Sequence, residues 1–560
     1  MTGSSSTLLD IGNNSSRAPV QEQGATTRLK TPERQGISIP MHRLSNLADD
    51  QAGTPDSAPF ESEPKVQDTG LKRRLQSKQM IAIGANMGTG LFIGSAKALY
   101  NGGPGWVLVD LILVAALLFF VVMALGELAT TFPVSGSFVT YTSRFIDPSW
   151  GLAMGWCYWL QWFVALPIQL TVSTIIISKW DVNNIVPAGV WITLFLLITA
   201  MINFFGIRLY GQINYYMSMI KVTAVAFFVV LAIAIDVGAG PGNHYRGAKT
   251  WHDPAFSLAG TELIGLTAAE TANPRKEVPK ATVQVFSKIV ACYIISLFMI
   301  GLIVPSDDKR LTGDAEAPVS PFVLAIELAG LKVLPHIFNA IILMSLISVS
   351  SSCVYASSRT LVALAQLGQA PKIFGKIDSM GRPIPAILLA ISFGTFAFSQ
   401  YASSAQDIFD WLLALSGLSS IFTWTSVCYA HVRFRQAWKR QGHRLEELPW
   451  KTPTGMIGSI VGIAMNAVVM LAHFYTAVWP IDEPHDGSAR AKAFFQAYLA
   501  APVFLILYAI ARIVLRSPHV ELQDIDLQTG RRQISIEELA AERQADLAKP
   551  VWRRAYELCC

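Results

Sequence analysis

A few residues in this chain have the type and setting to do chemistry inside an apolar environment. Between Pro254 and Glu270 lie fifteen residues, mostly apolar, with the carboxylate of Glu262 near their middle. Lys221 opens the apolar run "KVTAVAFF", Glu127 closes "ALGELA", and Gln169 interrupts "LPIQLTVSTI". An ionisable group in such surroundings holds or passes a proton, pairs with a charged ligand, or is neutralised by a neighbour. Each also has a plainer role. Glu262 reads as a functional acid or a buried hydrogen-bond acceptor, Lys221 as a coupling group or an interfacial lysine that snorkels. Glu127 reads as a structural acid capping a loop. Gln169 is an amide, which avoids the roughly 2.5–3.5 kcal/mol that insertion scales assign to a central charge. No nucleophile–base pair and no metal constellation is legible in the loops, so the chain does not read as an enzyme and no cofactor or metal is expected. The six cysteines, 157, 292, 353, 428, 559 and 560, show neither metal nor disulfide spacing.

The elements that must position these groups are membrane spans. Hydrophobic residues make up 52% of the chain and charged ones only 15%, against roughly 25% charged in soluble proteins. Spans are predicted at about 79–99, 106–127, 151–176, 187–207, 217–238, 255–271, 283–304, 321–356, 384–401, 408–432, 457–478 and 494–515. The eighth run exceeds one crossing and is expected to include an exposed helical lead-in. This describes an all-α polytopic membrane protein with twelve spans. Residues 1–70 form a polar, disordered amino-terminal tail without a signal-peptide core. Residues 71–516 hold the spans, and 517–560 form a polar carboxy-terminal tail containing the amphipathic stretch "SIEELAAERQADLA". Lys72, Arg73, Arg74 and Lys78 precede the first span, and three inner loops hold Arg275, Lys276 and Lys280; Arg359, Lys372, Lys376 and Arg382; and Arg433, Arg435, Lys439, Arg440 and Arg444. The outer loops are poorer in Lys and Arg, although Arg246, Lys249, Lys309 and Arg310 reduce the contrast, and the bias places both termini in the cytosol. The net charge of +5 is spread between spans and points to no nucleic-acid partner. Cys559 and Cys560, beside the bilayer, read either as palmitoylation sites or as an accessible thiol pair.

Two glycine-rich elements interrupt this pattern. The first span contains "IAIGANMGTGLFIGSAKAL", with glycines at 84, 88, 90 and 94. Close helix packing explains part of that spacing, but Gly-Thr-Gly is denser than packing needs. Repeated glycine weakens a helix by about 1 kcal/mol per residue, so an unwound turn is expected there. Such a turn frees N–H groups at the start of the following half-helix, Leu91 onward, and these suit a carboxylate. Five spans later "SLAGTEL" repeats the element at Gly260 and Thr261, directly before Glu262. An odd interval sends the second copy through the membrane in the opposite sense. Spans 1–5 and 6–10 then form a 5+5 inverted repeat with two further helices. Carbonyls at the sixth-span break suit an ammonium group, and the two breaks together fit an α-amino acid zwitterion.

The stretches "MIAIGANMGTGLFIGSAKAL", "ALGELATTFPVSGSFVTYTSRFIDPSWGLAMGW", "AFSLAGTELIGLTAAETANPRKEVPKA" and "SSRTLVALAQLGQAPKIFGKID" resemble the fungal amino acid permeases of the amino acid–polyamine–organocation superfamily. The similarity runs from Lys72 to the carboxyl terminus. It implies a LeuT-like fold, proton-coupled import of amino acids across the plasma membrane, and tails met by trafficking and ubiquitin machinery. It also implies that Gly88, Thr89 and Gly90 cradle the substrate carboxylate, while Phe256, Ser257 and Leu258 surround its amino group. At the position of Lys221, superfamily members resemble this chain in using an ammonium where others bind sodium. Gln169 and Gln212 stand where relatives carry acids, and Gln169 would favour neutral over cationic substrates. Relatives also carry a longer apolar lead-in before "AFS". From Pro254 to Gly260 is six residues, about 9 Å of helix, where half a bilayer core needs about 15 Å. Two alternatives to an active importer follow: a transporter-like amino acid sensor, or a transport-impaired variant with a shortened sixth helix.

Overall fold

The computed structural model describes residues 77–84, 88–134, 136–181, 183, 185–238, 274–311, 319–402, 405–479, 487–517 and 520–531, with isolated positions at 541, 544, 548 and 550. Among these residues every regular element is a helix. In chain order they are α1 (Ser77–Gly84), α2 (Ser95–Thr131), α3 (Phe138–Phe145), α4 (Pro148–Ile177), α5 (Ala188–Phe204), α6 (Ile207–Asp236) and α7 (Pro274–Ile303). There follow α8 (Pro321–Leu328), α9 (Leu334–Gln366), α10 (Ile384–Gly394), α11 (Ala405–Arg440), α12 (Gly455–Val478), α13 (Gly487–Tyr498) and α14 (Ala500–Leu515).

Among the described residues seven helices are long and apolar enough to cross a membrane, or eight if the bent pair α13–α14 counts as one span. Two shorter apolar helices, Ala188–Phe204 and Val290–Ile303, accompany them. Most predicted spans therefore have a helical counterpart, although the sixth, 255–271, lies outside the described residues. Two details differ from expectation. The first and second spans run into one another: past the glycine cluster helix α2 begins at Ser95 and spans the predicted boundary, and its backbone is non-helical only at Gly103, whose φ of 65° ends one helical stretch before Pro104 begins the next. The lead-in to the eighth span is not exposed. It is the separate helix α8, and Phe322 to Ile326 are fully buried. Its apolar run "PFVLAI" explains this, for the Phe322 ring packs 5.1 Å from Phe92 and 4.6 Å from Phe228.

Helix α4 lies at the centre of the bundle. Its most apolar window is 72% buried, against 22% for α12. Asp147 starts α4 by accepting the Ser149 N–H at 2.8 Å, with Pro148 in the first turn. One buried apolar cluster joins α4 to α3, α9 and α11, and a second joins the start of α2 to α6, α7 and α8. The beginning of the carboxy-terminal tail also belongs to the core. Ile525 and Leu527 are buried, and the Gln441 amide donates to the carbonyls of Leu522, Gln523 and Ile525 at 3.2, 3.3 and 2.8 Å. Arg144 of α3 donates to Thr529 O at 2.7 Å.

Candidate functional site

Among the described residues α1 runs to Gly84, Gly88 has no regular structure, and helix is present from Thr89, followed by a π-helical turn over Gly90–Gly94 that leads into α2. The first span is thus interrupted where its glycines cluster, and π turns are frequent at functional sites. The two glycines of Gly-Thr-Gly serve different ends. A Cβ on Gly88 would lie 2.4 Å from Val349 Cγ2, so Gly88 is small because α9 presses on it. Among the described residues a Cβ on Gly90 would meet nothing within 4 Å, and Gly90 is exposed although Leu91 and Phe92 after it are buried. Protein packing, which the 84/88 glycine spacing suggests, thus accounts for Gly88 and not for Gly90. Open space beside an interrupted helix is where a ligand can approach backbone N–H groups.

Gln169 of α4 reaches the break directly, its Nε2 donating to Thr89 Oγ1 at 3.2 Å. The other end of this amide, Oε1, is buried without a hydrogen-bond partner among the described residues. A buried acceptor left unpaired is rare enough to mark a place where another group fits.

Lys221 comes to the same neighbourhood from α6. Its side chain is 1% exposed, which excludes the snorkelling role. Nζ donates to Ser348 Oγ at 3.0 Å, and the next residue on α9 is the Val349 that presses on Gly88. Ser348 in turn donates to Asn214 Oδ1 at 2.9 Å. Gly88, Thr89, Gly90, Gln169 and Lys221 are thus brought together by α4, α6 and α9. Phe256, Ser257, Leu258, Gly260, Thr261 and Glu262 lie outside the described residues, as do Cys559 and Cys560. Ser348, Val349 and Asn214 were missed by the sequence reading. Their signal is the run "SVSSS" at 348–352, a hydroxyl-bearing patch within an apolar helix.

Glu127 is 0% exposed and belongs to a different cluster. Arg435 of α11 grips it with two bonds, 2.5 and 2.6 Å, and the Thr452 N–H adds a third at 2.7 Å. His431 Nε2 stands 3.1 Å from Oε1, off the line of a hydrogen bond, while its Nδ1 meets Ser459 Oγ at 2.8 Å. Glu127 therefore caps the loop before α12, as the plainer reading had it.

Long apolar helices around an interrupted helix, with a buried cation and an open polar approach at the break, define a multi-pass membrane protein. The sequence profile of the amino acid permease family matches residues 78–523. The chain belongs to that family. It is 44% identical over 511 residues to the amino-acid permease inda1 of Hypocrea atroviridis, covering 86% of this chain and 88% of that one. It is 44% identical over 518 residues to the general amino-acid permease GAP2 of Candida albicans, covering 88% and 87%. For the general amino-acid permease GAP1 of Saccharomyces cerevisiae the values are 42% over 524 residues, covering 88% and 86%. A solved manganese transporter of Eremococcus coleocola aligns over 79% of this chain and 94% of its own at 11% identity. Its TM-score of 0.49 is too low to carry the fold assignment.

Proposed function

We propose that this chain imports amino acids across the plasma membrane by proton symport, with both termini in the cytosol. The observation that carries this reading is the fully buried Lys221, hydrogen-bonded to Ser348 beside the interrupted first helix. A buried ammonium can be replaced by a neutral amine once its proton leaves. A group of that kind next to the substrate site links proton loss to the state of the site. Twelve spans with a 5+5 inverted repeat would set a second break, at Gly260 and Thr261, opposite the first. In this reading Gly88, Thr89 and Gly90 hold the substrate carboxylate. Phe256, Ser257 and Leu258 surround the ammonium, and Glu262 is the second ionisable group at the site. Gln169, an uncharged amide bonded to Thr89, favours neutral substrates. The basic loops and tails then face the cytosol, where trafficking and ubiquitin machinery would meet them.

Tracer uptake into permease-deficient fungal cells tests the reading. Uptake should rise as external pH falls and collapse with a protonophore. Dependence on sodium at fixed pH would contradict it. The short stretch of six residue steps from Pro254 to Gly260 favours a second reading, a permease whose transport is impaired by a short outer half-helix. Poor uptake by normally delivered protein separates this reading from the first.

A further inference from the structure

Three side chains on α6 and α9 form a directional chain. Asn214 Nδ2 donates to the Tyr210 carbonyl at 3.0 Å, which fixes the orientation of the amide. Reversing it would set two oxygens 3.0 Å apart. Oδ1 must therefore face Ser348, and it accepts the Ser348 hydroxyl at 2.9 Å. A hydroxyl has one hydrogen. With that hydrogen committed to Asn214, Ser348 can offer Lys221 only lone pairs, and Nζ donates to it at 3.0 Å. Asn214, Ser348 and Lys221 are 2%, 2% and 1% exposed, so water does not dilute this polarity.

We propose that Asn214 is a positioning residue that sets how firmly Lys221 holds its proton, acting through the Ser348 hydroxyl. The chain presents an acceptor to the lysine, and an acceptor stabilises the ammonium over the neutral amine. Asn214 does so as an uncharged dipole: firm enough to hold a proton in a buried site, weak enough to let it go.

Other ionisable groups could compete for this role. Among the described side chains α5 and α1 bring none. On α7, Cys292 and Tyr293 lie at the middle of the helix, and on α9, Cys353 and Tyr355 follow Ser348. Arg359 lies eleven residues along α9 from Ser348, about 16 Å away along the helix. In their ordinary forms none of these is negative near neutral pH, so none of them is a competing anion for Lys221.

The inference rests on proton coupling through Lys221, and the test separates the two. Asn214→Asp and Asn214→Leu are compared with the parent for uptake of a radiolabelled amino-acid mixture across external pH. Melting temperatures of the detergent-purified full chain are followed over the same pH series, which needs no turnover. The carboxylate should hold the ammonium more tightly and move the half-maximal point to higher pH by about one unit. The leucine should move it to lower pH. Ser348→Ala, by cutting the link, should remove most of the difference between the two. A purely structural Asn214 would lower protein yield without opposite shifts. A parent whose uptake and melting both ignore pH sinks the coupling reading, and this one with it. A pH-dependent parent whose Asn214 variants keep the parental profile, or shift the same way, overturns the Asn214 assignment alone.

Discussion

Glu127 and Lys221 are both buried charges in apolar helices, and they are treated in opposite ways. Glu127 is gripped by a guanidinium with two bonds and by a backbone N–H. Its charge is neutralised by a group that cannot lose its own proton, because arginine stays protonated at any physiological pH. Lys221 meets a serine hydroxyl backed by an amide. A fixed ion pair ties α2 to α11, whereas the described hydrogen bond of Lys221 goes to a neutral hydroxyl. Under the proposed proton coupling, that difference in partner chemistry separates a clamp from a switch.

The largest effect is expected from breaking the clamp. Glu127→Ala strands Arg435 in a mostly buried position, at a cost of about 3–5 kcal/mol for an uncompensated charge. Little folded protein should be recovered, as read by yield and melting in detergent. Normal yield would mean that the pair is dispensable. Lys221→Met should do the reverse, leaving folded protein at normal levels while uptake falls to the background of permease-deficient cells. If Lys221→Met also fails to fold, the two regions are not distinct in kind.

Glycine variants sharpen the comparison at the break. Gly88→Ala drives a Cβ to 2.4 Å from Val349 Cγ2 and should destabilise by about 1–3 kcal/mol, with Val349→Ala restoring the melting temperature. Gly90→Ala, with open space around its Cβ, should leave melting unchanged and lower uptake by filling the ligand's approach. Unchanged uptake in Gly90→Ala would remove the carboxylate site from this segment. A smaller, several-fold rise in uptake is expected from inserting an apolar lead-in between Pro254 and Ala255. A native chain already as fast as its full-length relatives would make that outer half-helix dispensable. Smallest of all, Gln169→Glu should shift preference toward lysine and arginine in competition assays, and an unchanged ranking would assign specificity elsewhere.

Much of this was legible from composition and spacing. Long apolar runs become helices because a bilayer leaves backbone groups no other partner, and the Gly-Thr-Gly cluster marked the interruption of the first span. Pairings across 80 residues or more were not legible. Nothing in the sequence says that Ser348 meets Lys221, that Arg435 meets Glu127, or that Val349 rather than a ligand explains Gly88. Those contacts depend on helix rotation and depth, which hydropathy leaves open. The burial of Ile525 and Leu527 was hidden by the polar residues around them, because two apolar side chains in a charged segment produce no periodic signal.

Proton entry during transport tests the account most directly. Amino acid added to a lightly buffered suspension of cells expressing the chain should alkalinise the medium in fixed proportion to tracer uptake. Cells expressing Lys221→Met at equal surface levels should show neither signal. Tracer uptake without proton entry, or unchanged proton entry in Lys221→Met, would contradict coupling through the buried lysine.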